Sequence, residues 1–216
     1  MSRVDISVAE EIAQVTVGRP HVVLLGAGAS RAAFPQGEQH GRQLPLMADF
    51  ADIVPINPVL GDAQIKWNGR NFEDIYTEID SDVNKLSIKN AIEDTVLQYF
   101  VSLGLPDEPT LYDHLLLSLR PKDVIATFNW DPFLIQAASR RNVHEMPRIA
   151  FLHGNVLAGF CERDQMHGRV GRTCSRCGEV LRPVKLLYPI GQKDYEKDPA
   201  IPPPGSSLNR FSETPS

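Results

Sequence analysis

His21-Val-Val-Leu-Leu-Gly-Ala-Gly-Ala-Ser30 is an apolar run that stops on Gly26 and Gly28 and passes into the helix-compatible Ser30-Arg-Ala-Ala33. Near-continuous apolar strands belong to parallel sheets covered by other elements, so the stretch predicts a buried parallel strand feeding a phosphate-cradling turn. A residue without Cβ lets backbone N–H groups approach an anion, and the helix end that follows adds partial positive charge. The usual dinucleotide fingerprint carries a third glycine or alanine three residues after the second. Arg31 stands there, so the pattern is G-x-G-x-x-R, and a plain strand-to-helix turn is its rival reading. The rest of the chain has to decide between them.

With 216 residues, 42% of them hydrophobic, the chain suits one domain, or one domain with a small insertion. Its 22 basic and 27 acidic residues give no general electrostatic reason to bind nucleic acid or an anionic membrane, so any polyanion contact has to be local. No apolar run approaches the roughly 20 residues of a membrane span, and Met1-Ser-Arg-Val-Asp-Ile-Ser7 lacks a signal-peptide layout. A cytoplasmic protein is the expectation, with a homo-oligomer left open. The 3 cysteines, with Cys174 and Cys177 spaced C-x-x-C and Cys161 nearby, suit a metal better than a disulfide framework.

Residues 3–17 carry spaced apolar side chains (Val4, Ile6, Val8, Ile12, Val15, Val17) and predict a short amphipathic helix. Phe34 to Pro58 is rich in Pro, Gly and Gln and predicts a long loop with one helical turn near Met47–Ile53. Helical spacing follows over Asn71–Ile79, Ile88–Leu103 and Thr110–Leu119, a helical insertion spanning about 58–119. Lys122–Asn129 and Pro147–Leu152 read as strands, Val184–Tyr188 as another, and a helix between the first two starts with Asp131 as N-cap and Pro132 at its first position. Strands alternating with helices make this an α/β fold with a Rossmann-like parallel sheet, whose ligands sit outside the carboxyl ends of the strands.

Gly26–Ser30, Asn129–Asp131 and His153–Gly154 all fall at such ends. Singly, Asn129 and Asp131 read as helix caps and His153 as a turn residue. Together with a phosphate turn they offer more. A histidine titrates near neutrality and can move a proton, while a neighbouring amide and carboxylate can hold hydroxyls, a carboxamide or a water.

Gly26-Ala-Gly-Ala-Ser30, Thr127-Phe-Asn-Trp-Asp131 and Leu152-His-Gly154, followed in order by a cysteine cluster and Leu181-Arg-Pro183, resemble the sirtuin superfamily, in its divergent sirtuin-like branch. The resemblance spans about residues 21–195. It implies a Rossmann-like NAD-binding domain over 1–195, with an inserted helical module and a zinc module at about 158–183. The remaining tail, 196–216, is rich in Pro and Ser and reads as disordered.

By the same resemblance Gly26, Ala27, Gly28, Ala29 and Ser30 cradle NAD. Asn129 orients water or ribose, Asp131 meets the nicotinamide amide, and His153 deprotonates a ribose hydroxyl. The element that covers the cofactor in classical deacylases, Pro-Asp-Phe-Arg, is reduced here to Phe34-Pro-Gln-Gly37, and the second motif reads Phe-Asn-Trp-Asp where deacylases have Gln-Asn-Ile-Asp. That form resembles the branch associated with NAD hydrolysis in bacterial antiphage defence. It places NAD hydrolase first, ahead of an NAD-dependent deacylase acting on an acyl-lysine protein and of a non-enzymatic NAD-sensing or interaction domain. The Gly-Thr-Ser and Ser-Asn strands that bind adenosine in the family have no counterpart in Ile190–Ser216, so the expected sheet is C-terminally incomplete.

Cys174-Ser-Arg-Cys177-Gly178 forms half of a zinc site, two thiolates reaching one ion across a tight turn. The other half is Cys161-Glu-Arg-Asp164, with His167 close by. Imidazole is the commoner companion of thiolates in structural zinc sites, so Cys161, His167, Cys174 and Cys177 are the expected ligands, with Asp164 the alternative to His167.

Overall fold

A computed structural model describes residues 7–9, 19–141 and 146–190. The helix anticipated over 3–17, apart from 7–9, and the tail from 196 onward lie outside the described residues.

Strand β1 (Val22–Leu25) leads into helix α1 (Ala27–Ala33). A long loop carries α2 (Phe50–Ile53) and α3 (Asn57–Asp62), then come α4 (Phe72–Asp80), α5 (Leu86–Val101) and α6 (Leu111–Ser118). The chain returns through β2 (Val124–Thr127), α7 (Phe133–Arg141) and β3 (Arg148–Phe151). The three strands form one parallel sheet in the order β1-β2-β3, with Val23 beside Ile125 and Ile125 beside Ile149. The fold is therefore α/β, a parallel sheet with a helical block inserted between its first two strands.

Strand side chains alternate between faces. Ile125, Thr127, Ile149 and Phe151 point into the core, where they meet Phe133, Ile135 and Ala137 of α7. The helical block packs by its apolar stripe: Phe72, Ile75, Tyr76 and Ile79 of α4 against Ile92, Val96 and Phe100 of α5. Rings bind this block to the carboxyl end of the sheet. Phe50 stacks on Phe72 at 4.1 Å, Phe100 meets Trp130 edge-on at 5.7 Å, and Tyr188 lies between Trp130 (4.9 Å) and Tyr76 (4.7 Å).

After β3 the chain builds a second, antiparallel sheet in the order β5-β4-β6, from β4 (Ala158–Cys161), β5 (Met166–Arg169) and β6 (Arg182–Pro183). Val184–Tyr188 is not a strand. Its Leu186, Leu187 and Tyr188 are buried as core packing, and the Leu187 N–H donates to the His153 carbonyl at 3.0 Å. The helix after β2 begins one residue later than its sequence suggests, at Phe133, with Asp131 Oδ1 accepting from the Phe133 N–H at 3.4 Å. The long loop stops short of Pro58, which instead sits in the first turn of α3, where its missing N–H costs nothing.

Candidate functional site

The carboxyl ends of β1, β2 and β3 meet around a cavity of about 320 Å³, whose wall includes Ala27, Ser30, Asn129, Asp131 and His153. Most of its remaining surface is apolar, with Leu44, Met47, Phe50, Phe100 and Trp130 contributing, and Glu73 adds a second carboxylate to the wall. Gly26, Gly28 and Ala29 lie outside that wall. Gly26 caps α1, and a Cβ built on Gly26 or Gly28 would meet no protein atom within 4 Å. Packing within the chain thus does not demand glycine at either position, and the space above the turn is open to a ligand. Gly154 is different: its φ is +78°, and a Cβ there would come 2.8 Å from the Lys185 carbonyl.

Ser30 is the hub. Its buried hydroxyl lies 2.6 Å from Asp131 Oδ2, 2.6 Å from the Tyr112 hydroxyl and 2.8 Å from Asn129 Nδ2. A hydroxyl has one proton to give. Donated to the Asp131 carboxylate, it leaves Ser30 as acceptor from both Asn129 and Tyr112. Asn129 Nδ2 also donates to the Gly26 carbonyl at 3.0 Å, tying the glycine turn to the end of β2. Asn129 Oδ1 is left buried with no hydrogen-bond partner among the described residues, an unfilled acceptor in a residue of the cavity wall.

Burial pushes the Asp131 carboxyl up to about 6, against the opposing hydrogen bonds of Ser30, the Phe133 N–H and Asn129. Burial, helped by Asp131, also raises Tyr112. Asn155 holds the next stretch of backbone, donating from Nδ2 to the Asp131 carbonyl at 2.6 Å. His153 packs edge-on against Phe128 with ring centroids 4.9 Å apart. Tyr112 and Asn155 had no local signature in the sequence: one reads as a core aromatic of α6, the other as a turn residue.

No family model and no curated protein matches the chain. Among solved structures, a similar one is the crystal structure of a Sir2 homolog–NAD complex, 16% identical, with a TM-score of 0.26. The alignment covers 87% of this chain and 62% of the other, so the chain spans less than two thirds of that protein's length. At that TM-score the likeness carries no weight, and the reading of the site rests on its geometry.

The cysteine module brings Cys161, Asp164, Cys174 and Cys177 together, their ligand atoms all within 4.8 Å of one another. Cys161 and Cys177 sulfurs are 3.6 Å apart, and Asp164 Oδ2 lies 3.2 Å from Cys174 Sγ. A tetrahedral zinc with Zn–S near ~2.3 Å has S···S edges of about 3.8 Å and slightly shorter S···O edges, so these donors fit the ion. The charges fit as well. Without a cation, the Asp164 carboxylate beside Cys177 pushes that thiol up to about 12.

His167 does not join them, which corrects the expected ligand set. Pairing of β4 with β5 sets Cys161 opposite Met166 and Phe160 opposite His167. Successive residues of a strand face opposite ways. His167 is therefore on the other face of the sheet from Cys161, with its ring 4.8 Å from that of Phe160. Among the described residues no helix is long and apolar enough to cross a membrane.

Proposed function

We propose that the chain binds NAD, with its diphosphate over the Gly26–Ser30 turn and its nicotinamide ribose in the cavity, and cleaves the nicotinamide–ribose bond. The observation that carries this is the meeting of Ser30, Asn129, Asp131 and His153 at one cavity, beside a turn whose two glycines leave open space. Breaking that bond develops positive charge at the ribose carbon, so the site must stabilise a cationic centre and admit a nucleophile. Asp131 sits where a carboxylate can offset that charge and accept from a carboxamide. Asn129, fixed by Gly26 and Ser30, orients the ribose or the attacking water, and His153 takes a ribose hydroxyl proton. Water as the nucleophile makes the chain an NAD hydrolase, suited to depleting NAD in antiphage defence.

Zinc held by Cys161, Asp164, Cys174 and Cys177 serves structure in this reading, since none of the four lines the cavity. The test is nicotinamide release from NAD by the purified chain, with His153→Ala and Asn129→Ala losing about 100-fold or more of the rate. Absence of both NAD binding by calorimetry and nicotinamide release sinks the proposal. With an acetyl-lysine peptide present, acetyl-ADP-ribose in place of ADP-ribose reassigns the chain as a deacylase. The non-enzymatic alternative is an NAD sensor built on the same cavity. Binding without turnover selects it.

A further inference from the structure

We propose that the outer face of the β5-β4-β6 sheet binds single-stranded nucleic acid, a base stacking on Phe160 with His167, tilted 43° to that ring, at its edge, while Arg169 and Arg182 take the phosphates. Strand register builds this face. His167 is opposite Phe160, and Phe160 is opposite Arg182, so the three side chains form one row across the sheet, about 5 Å from strand to strand. Arg169, two residues along β5 from His167, projects from the same face.

The opposite face is occupied: Cys161, Cys174 and Leu181 form the module's small core, and Leu181 closes over Gly159 and Gly168. What remains outside is a half-buried aromatic pair flanked by exposed guanidinium groups.

The charge is local, as the acidity of the whole chain requires. Between Cys161 and Lys185 there are 6 basic residues, 5 of them arginine, against 3 acidic ones. Of those acids, Asp164 is turned toward the cysteines, Glu179 lies 3.9 Å from Arg163, and Glu162 stands exposed just past β4. The surface is therefore basic within a chain of net charge −5, a field that concentrates a polyanion at one place. Arginine suits phosphate through its fork of donors, and an exposed ring suits a base already free of its stack. A duplex hides its base faces, which is why the single strand is the partner this row fits.

The full chain, loaded with zinc, is titrated against fluorescein-labelled 12-residue oligothymidylate and oligouridylate by anisotropy. Saturable binding is expected with a Kd of about 1–100 μM near 50 mM salt. Phe160→Ala should weaken it about fivefold or more, the effect of one stacked base, while Phe160→Tyr keeps the ring and the affinity. Arg169→Ala with Arg182→Ala should lower the slope of log Kd against log salt by roughly 1.4, about 0.7 for each phosphate no longer neutralised. None of these residues lines the cavity, so NAD binding should be unchanged. The proposal is overturned if neither oligonucleotide binds, or if the arginine pair and a folded Phe160→Ala both bind like wild type. Equal binding of polyglutamate with the same dependence on Phe160 also overturns it, and makes the partner an acidic protein.

Discussion

Asp131 is held in an energetically costly state. Its carboxyl is buried, and the hydroxyl and amide hydrogen bonds around it only partly replace water, so its value rises from 3.8 to about 6. Below 3.8 the group is protonated in folded and unfolded chains alike. Between there and about 6 the unfolded chain gives up the proton first, so stability falls as pH rises, and the loss is complete above about 6. A gap of that size corresponds to about 3 kcal/mol. Asp131→Asn keeps the shape without the charge. Urea unfolding should find this variant more stable than wild type by about 2–3 kcal/mol near pH 8 and equal to it near pH 4. An equal difference at both pH values shows that the carboxylate is not strained. If the proposed chemistry is right, the same substitution abolishes nicotinamide release, so the residue trades stability for function.

Loops and helices around the site are fixed by buried carboxylates. Glu38 lies in the loop after α1 and accepts from the N–H groups of His40 and Gly104, each at 2.9 Å, and from Arg42 Nε at 2.9 Å. Burial works against its charge, but Arg42 and the N–H groups of Gly104 and His40 outweigh that and hold it at about 2. Its contribution is present above the ordinary value of 4.5 and lost as pH falls toward 2. Glu38 pins the loop to the end of α5 together with Arg42 on Ser102, the Gln39 N–H on the Gly104 carbonyl and Tyr99 on the Gln43 carbonyl, and the same loop presents Leu44 to the cavity. Glu38→Ala strands the Gly104 N–H, at about 1–3 kcal/mol, and frees the more exposed His40 and Arg42. Trypsin should then cut the folded protein at Arg42, where wild type resists, and an unchanged digestion pattern counts against the pin. In α6, Thr110 and Asp113 form a reciprocal capping box, and Asp113 also binds Arg140 of α7. Thr110→Ala should cost about 1 kcal/mol in urea unfolding, whereas Asp113→Ala, which removes the buried acceptor of the cap and one partner of the part-exposed Arg140, should cost more, about 2–3. The helix itself was legible in the sequence over Thr110–Leu119, but its capping box was not marked out there. The strands and the helices of the inserted block were legible too, although β1, expected to be buried, lies at the edge of the sheet with Val22 and Leu24 exposed, because an apolar run does not report whether both its faces are covered. Tyr112 was legible only as an aromatic: its contact with Ser30 joins residues 82 apart in sequence, and no local pattern encodes that. Val184–Tyr188 misled for the opposite reason, since a buried apolar run looks like a strand whether or not it finds a partner to pair with.

At the scale of the molecule, two small sheets with different supports are joined through residues 152–157. The parallel sheet has a core of its own, built with the helical block and a chain of aromatic rings. The small core of the antiparallel module is Cys161, Cys174 and Leu181, with Met166 and Cys177 beside them, too few apolar groups to order its loops without help. A metal ion at the four donors would supply that help by binding the folded arrangement and not the unfolded one. Which residues hold it follows from strand parity, which spacing along the sequence could not reveal before the register was known. Asp164 is on the turn beyond Cys161, inside the donor set, and His167 is on the far face. Purified wild type should carry a full equivalent of zinc by mass spectrometry of the metal. His167→Ala should keep it, and Asp164→Ala should lose most of it and melt earlier by about 5–10 °C, since each kcal/mol is worth roughly 2–4 °C at this size. Chelation of the wild type should reproduce the Asp164→Ala melt. Full zinc in Asp164→Ala with depletion in His167→Ala would instead mean that β4 and β5 pair one residue out of register, and the face carrying Phe160 and Arg182 would be redrawn with them.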